Sequence, residues 1–301
     1  MKTHALPVSI ILLLAAILSA AQIPTFSIRT EEVRVDVLVS KDRKPVSGLK
    51  ADDFEIFDNE VRQAVRSESF QQVPISVTLV LDMSESVSGD LADHLKAAGR
   101  ALLSGLKKNE RAALITFSHS VRLGCPTTTD LDRVRAALDR GQPEASGRTS
   151  MIDASYAGLI QAESKADRPL LIMFSDGLDI GSWLTSEAVL DTTKFSDAVV
   201  YAVSAGRVPD RRFLQDITKI TGGSFMKTES NKDLSAVFVG ILEEFRQRYL
   251  LTYAPEGVPK GGWHELRVQV KRRGLEIKHR PGYLKDPAAR TRADSSHGVA
   301  P

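Results

Sequence analysis

Four stretches of this chain, residues 77–81, 112–117, 169–174 and 198–203, are almost unbroken runs of apolar, largely β-type residues. A strand with one wet face alternates apolar and polar side chains. One that reads apolar throughout has both faces covered, the condition of a parallel sheet packed between helices. The intervening segments carry the complementary signal. Leu91, Leu95, Ala98, Leu102 and Leu106 recur at helical spacing, and Leu234, Val237, Phe238, Ile241, Leu242 and Phe245 form a stripe with Glu243 and Arg246 outside it. Strands alternating with such helices over residues 73–248 specify an α/β fold with a doubly wound, mostly parallel sheet.

Outside that region the period changes to two. Val33, Val35, Val37 and Val39 share one face of a strand whose other face holds Arg34, Asp36 and Leu38, and a turn follows at residues 41–45. Residues 53–57 and 64–66 add short strands. Later, Leu266, Val268 and Val270 alternate with Arg267, Gln269 and Lys271, Arg273-Gly274 makes a hairpin-like turn, and Leu275 and Ile277 resume the alternation. Neither flank has the apolar surface for a core of its own, so the two are expected to pair into a small β-sandwich into which the α/β region is inserted. The expected organisation is a signal peptide at 1–21, an N-terminal β segment at 22–72, the α/β domain at 73–248, a C-terminal β segment at 249–286 pairing with 22–72, and a disordered tail at 287–301.

The signal peptide rests on Lys2 and His4, an apolar run at residues 10–18, and Ser19-Ala20-Ala21 where a signal peptidase cuts. The run is shorter than the roughly 20 residues of a membrane span, so a secreted or periplasmic location with no membrane span after cleavage is expected. Cys125, the only cysteine, cannot form an internal disulfide and reads as a small buried residue closing a strand at 121–125. Forty basic residues against 38 acidic ones leave a formal charge of +2, too little to attract nucleic acid, and no nucleic-acid partner is expected. The oligomeric state is not legible.

The first apolar run ends in Asp82-Met83-Ser84-Glu85-Ser86, which puts three oxygen-bearing side chains at the carboxyl end of a buried strand, where open α/β sheets bind their ligands. Two further segments join it. Thr149, in Gly147-Arg148-Thr149-Ser150, lies in a loop just before a helix, and Asp176, in Phe174-Ser175-Asp176-Gly177, closes another buried run. Each has a plain structural alternative: Ser86, Ser88 and Thr149 as helix caps, Asp176-Gly177 as a turn. Glu85 and Asp179 read as solvated acids near the rim.

Here the chain resembles the von Willebrand factor type A domain, whose metal-ion-dependent adhesion site (MIDAS) consists of Asp-x-Ser-x-Ser, a distant Thr and a distant Asp followed by Gly. That pattern is met by Asp82, Ser84, Ser86, Thr149 and Asp176. The flanks, with Asp52-Asp53-Phe54 before the domain and Arg280-Pro281-Gly282-Tyr283 after it, look like bacterial secreted proteins of the VWFA-related type. The resemblance implies a divalent cation, partly held through water, whose open position accepts a Glu or Asp carboxylate from a protein partner. It also implies a last helix, here residues 231–247, that can shift as the metal changes coordination. Hard oxygen ligands suit Mg²⁺ with Mn²⁺ as a substitute, whereas Zn²⁺ prefers nitrogen and sulfur.

A binding module for adhesion or scaffolding is therefore expected rather than an enzyme. The alternatives are a metal-dependent hydrolase or phosphotransferase, which would need a base or nucleophile beside the ion, and a scaffold whose metal is only structural. No Gly-x-Ser-x-Gly elbow and no nucleotide-phosphate loop occurs, and the six histidines are scattered, with His94 and His119 reading as surface residues.

Overall fold

The computed structural model of the protein describes residues 32–68, 73–144, 147–163, 166–175, 179–205 and 210–285. The expected signal peptide and tail lie outside these residues, as does Asp176. The central sheet has six strands: β6 (Ile75–Asp82), β7 (Arg111–Phe117), β8 (Val121–Thr128), β9 (Arg168–Phe174), β10 (Val199–Ala205) and β11 (Ser224–Thr228), in the order β11-β10-β9-β6-β7-β8. All neighbours pair parallel except β7 and β8, which form an antiparallel edge. Every residue of β6, β9 and β10 is buried, as their continuous apolar composition requires.

Helices cover both faces. Helices α1 (Asp90–Gly105), α2 (Leu131–Arg140) and α6 (Leu234–Arg246) pack Leu95, Leu102, Leu138, Phe238, Ile241 and Phe245 against one side of the sheet. On the other, α3 (Met151–Ala162), α4 (Ser186–Thr193) and α5 (Arg212–Ile220) bury Ala154, Leu159, Val189, Leu214 and Ile217. Cys125 is buried, but in the middle of β8 rather than at its end, because the strand runs on to Thr128.

The flanks form two antiparallel sheets. One has the order β14-β1-β12-β5, built from β14 (Glu276–Lys278), β1 (Val33–Lys41), β12 (Tyr249–Tyr253) and β5 (Arg66–Glu68), with β2 (Lys44–Pro45) on β1. The other runs β15-β13-β3-β4, from β15 (Gly282–Lys285), β13 (Gly262–Val270), β3 (Phe54–Asp58) and β4 (Val61–Gln63). Val33, Val35, Val37 and Val39 meet Phe54, Ile56, Leu251, Leu266 and Val268 in a core of their own. N- and C-terminal strands alternate in the first sheet, and in the second they meet where β13 pairs with β3. The turn at Arg273-Gly274 makes no hairpin: β13 and β14 part to opposite sheets, so the alternation that resumes at Leu275 belongs to the other layer. A buried carboxylate ties the layers, since Asp58 accepts hydrogen bonds from Tyr253 at 2.8 Å and Tyr283 at 2.9 Å and lies 2.8 Å from His264 Nδ1.

The polar face of β1 is not solvated. Arg34 donates to the Asp167 carbonyl at 3.1 Å, Asp36 pairs with Arg168, and Leu38 is buried. That face meets the start of β9, so the sandwich sits at the amino-terminal edge of the central sheet, opposite the strand ends where Asp82 lies.

Candidate metal centre

Four chain segments converge at the carboxyl edge of the central sheet. Asp82, the last residue of β6, is fully buried. Its Oδ1 accepts the Ser84 amide at 2.9 Å and its Oδ2 the Ser175 hydroxyl at 2.8 Å, which ties the ends of β6 and β9. The Met83 amide donates to the Phe117 carbonyl at the end of β7, and the Glu144 amide donates to the Met83 carbonyl. The Ser150 amide reaches the Ser118 carbonyl, so the loop before α3 is fixed to the same edge. Thr149, 8% exposed, accepts the Ile180 and Gly181 amides on its carbonyl at 3.1 and 2.9 Å. Gly181 sits close against this loop, since a Cβ there would lie 2.7 Å from Ser150 Oγ and 3.1 Å from the Thr149 carbonyl oxygen.

The capping alternatives do not describe these hydroxyls. The residue before α1 is Gly89 at φ +56°, with no side-chain cap from Ser86 or Ser88. The first turn of α3 is capped from a distance: Asp179 Oδ2 accepts the Ile152 amide at 2.7 Å and Ser182 Oγ accepts the Asp153 amide at 3.0 Å. Asp179 is therefore a helix cap rather than a solvated rim acid, a role invisible in local sequence because the partner is 27 residues away. Thr149 is left free of the helix, and its hydroxyl makes no hydrogen bond with a described residue.

The oxygens present fit a hard cation. Ser84 Oγ and Ser86 Oγ lie 3.1 Å apart, Ser84 buried and Ser86 exposed. Adjacent corners of an Mg²⁺ octahedron with metal–oxygen distances of about 2.1 Å are about 3.0 Å apart. An ionised Asp82 carboxylate offers about four lone-pair positions, of which the Ser84 amide and the Ser175 hydroxyl each take one. Among the described residues no group of three His, Cys, Asp or Glu side chains clusters, so the candidate site is one of hydroxyls with few charges.

Two neighbours were not legible in sequence. Glu144 accepts from Ser118 Oγ at 2.5 Å and pairs with Arg122 at 2.5 Å, and His119 Nδ1 lies 3.4 Å from the same carboxylate. Ser118 thus gives its proton to an anion that is already paired, an arrangement that holds the loop and does not activate a nucleophile.

Residues 77–178 match the family model of the von Willebrand factor type A domain. The match covers about a third of the chain and lies within the central α/β region, called the A domain below for the family it resembles. A curated relative, inter-alpha-trypsin inhibitor heavy chain H2 of Mus musculus, is 24% identical over 204 residues, 62% of this chain but only 21% of its own length. Among solved structures, proximal thread matrix protein 1 from the mussel byssus, described with its MIDAS motif occupied by zinc, is similar at 16% identity and TM-score 0.54 over 62% of this chain and 49% of that one. Zinc in that motif shows that, in the mussel protein, such a site is not closed to the softer ion. A von Willebrand factor type A structure from Catenulispora acidiphila, 10% identical with TM-score 0.51, covers 88% of this chain and 76% of its own. That overlap exceeds the A domain's share of the chain, so the likeness in fold extends into the flanking sheets. Among the described residues no helix is long and apolar enough to cross a membrane.

Proposed function

We propose that the protein is a secreted or periplasmic binding module that captures a Glu or Asp carboxylate of a protein partner through a divalent cation, Mg²⁺ or Mn²⁺, held by Asp82, Ser84, Ser86, Thr149 and Asp176. The observation that carries this reading is the pair of serine hydroxyls, hydrogen-bonded to each other at octahedral-edge spacing, together with a threonine at the same sheet edge whose hydroxyl no cap consumes. When bound, the cation supplies an electrophilic position for an incoming carboxylate. The chain does the rest. Asp82, fixed through both oxygens, contributes charge from a buried position. Ser84, Ser86 and Thr149 contribute neutral oxygens, which leave the ion's charge for the partner. Ser86, at the exposed end, marks the side from which the partner approaches.

Calorimetric titration of the protein with Mg²⁺ and Mn²⁺ tests it, with Ser86→Ala and Thr149→Ala alongside. Loss of binding in both variants with the fold retained is the expected result. Binding unchanged in both would send the metal, and with it the carboxylate, elsewhere. The hydrolase alternative predicts Mg²⁺-dependent turnover of phosphoesters, which the same preparations can be assayed for.

A further inference from the structure

Trp183 is 95% exposed, with Ile180 at 58% and Leu184 at 38% in the same loop. A tryptophan buries on the order of 150–250 Å² when it packs, so leaving one in water forgoes a large apolar contribution. The loop that presents it is nevertheless fastened. Asp153 accepts the Trp183 amide at 3.0 Å and the Leu184 amide at 2.9 Å, Asp179 accepts the Ser182 amide at 3.1 Å, and the Ile180 and Gly181 amides end on Thr149. Backbone held this way has little freedom left to lose on binding, which favours association.

Beside the loop a groove of about 360 Å³ opens, with Ile152, Leu190 and Phe213 among its lining residues. Its charge is acidic. Asp210 is occupied by Arg212 at 2.6 Å, while Glu187 and Asp216 stand exposed on its rim. The groove and the Trp183 loop both lie against the first turn of α3. Trp183 is tied to Asp153, four residues beyond Thr149 across the start of α3, a stretch of chain that spans no more than about 13 Å. An extended chain advances about 3.3 Å per residue, so a segment anchored at the metal centre reaches Trp183 within two to four residues.

We propose that Trp183 and this groove are a second contact for the partner of the metal centre: an extended protein segment whose acidic side chain is followed or preceded, two to four residues away, by an apolar side chain packed on Trp183 and then by a lysine or arginine facing Glu187 and Asp216. This rests on the carboxylate-capture reading above. The metal site selects the acid. The tryptophan and the acidic rim select what surrounds it, so the protein distinguishes among acidic segments instead of taking any exposed carboxylate.

The test is a displayed library of random linear peptides, panned on immobilised protein in Mg²⁺ and eluted with chelator, with a parallel panning in chelator throughout. Trp183→Ser is then compared with the parent for each enriched peptide. The proposal expects Mg²⁺-dependent enrichment of an acid, an apolar residue two to four positions away and a neighbouring base, with affinity about tenfold weaker in Trp183→Ser. In Trp263→Phe, which leaves Trp183 as the sole tryptophan, emission should shift to the blue on binding. Enriched acidic peptides that bind Trp183→Ser as well as the parent, or that lack the apolar or basic residue, overturn this inference and leave carboxylate capture standing. Enrichment without an acid, or none beyond the chelator control, overturns both.

Discussion

Arg168, fully buried at the start of β9, donates from Nε to Asp36 Oδ1 of β1 at 3.1 Å, across 132 residues of sequence. Its guanidinium lies 4.7 Å from the Phe245 ring centroid and donates to the Phe245 and Arg248 carbonyls at 3.4 and 3.2 Å. One side chain thus joins the A domain's sheet, the sandwich and the end of α6. Removing one member of a buried pair strands the other, which typically costs about 3–5 kcal/mol, whereas replacing both by apolar residues costs far less. Asp36→Ala is expected to lower denaturant-measured stability by that amount, and Asp36→Leu with Arg168→Met to recover most of it. A single variant within about 0.5 kcal/mol of the parent would show that the pair does not hold the two parts together.

Gly181→Ala is expected to act on metal affinity more than on stability. The added methyl meets the Thr149 carbonyl and the Ser150 hydroxyl, and the cheapest relief is a shift of the loop that places Thr149. Mg²⁺ affinity should fall about tenfold, or 1.4 kcal/mol, by calorimetry, with a smaller loss in the denaturation midpoint than Asp36→Ala gives. Undiminished affinity would separate Thr149 from the metal.

Asp179→Ala removes the cap that α3 receives from outside its own segment. Loss of such a cap costs about 1 kcal/mol, so hydrogen exchange at the Ile152 amide should speed about fivefold if the first turn opens locally. Exchange unchanged there would mean that Ser182 alone suffices.

His279 provides a pH dependence. Burial pushes its imidazole below the ordinary value, the Arg280 carbonyl beside it opposing in part. Nδ1 lies 2.6 Å from that carbonyl and Nε2 accepts the Val268 amide at 3.3 Å, a pairing that fits the neutral ring. The unfolded chain therefore binds the proton more readily than the folded one. Stability from this residue is whole above the ordinary imidazole value of about 6.5 and is lost as pH falls below it toward the depressed folded value. Denaturation midpoints from pH 8 to pH 5 should show this loss, and His279→Gln should flatten it. An unchanged slope in the variant would assign the effect to other groups.

Strands β6, β7, β9 and β10 were legible to within about two residues because burial on both faces leaves an unbroken apolar run with clear ends, whereas the edge strand β8 runs three residues past its expected end and β11 was not placed. The sandwich was legible as a pair of flanks, since Val33 to Val39 can bury only one face in an isolated strand. Its layering was not: nothing local at Arg273-Gly274 says whether the next strand stays in its sheet or crosses. What the second face of β1 meets was not legible, because Arg34 and Asp36 are charged and their partners Asp167 and Arg168 lie more than 130 residues on. At the proposed metal centre, Asp82, Ser84, Ser86 and Thr149 were visible as oxygen-bearing side chains at a strand end and before a helix. The devices that aim them, Ser175 on Asp82 and Gly181 against Thr149, are tertiary and left no local signature.

The interleaving of the two flanks sets an order of events during synthesis. Strand β1 pairs with β2 only at Ser40 and Lys41, so the rest of its edges stays open until β12 and β14, from residue 249 onward, have been made. At about 5–20 residues per second, that wait is on the order of tens of seconds. Through it the valine-rich part of the strand stands unpaired, a template for any neighbouring chain. The nascent protein is most vulnerable to aggregation before the residues from Tyr249 onward exist, and the sandwich closes only once the inserted domain has brought its two ends together.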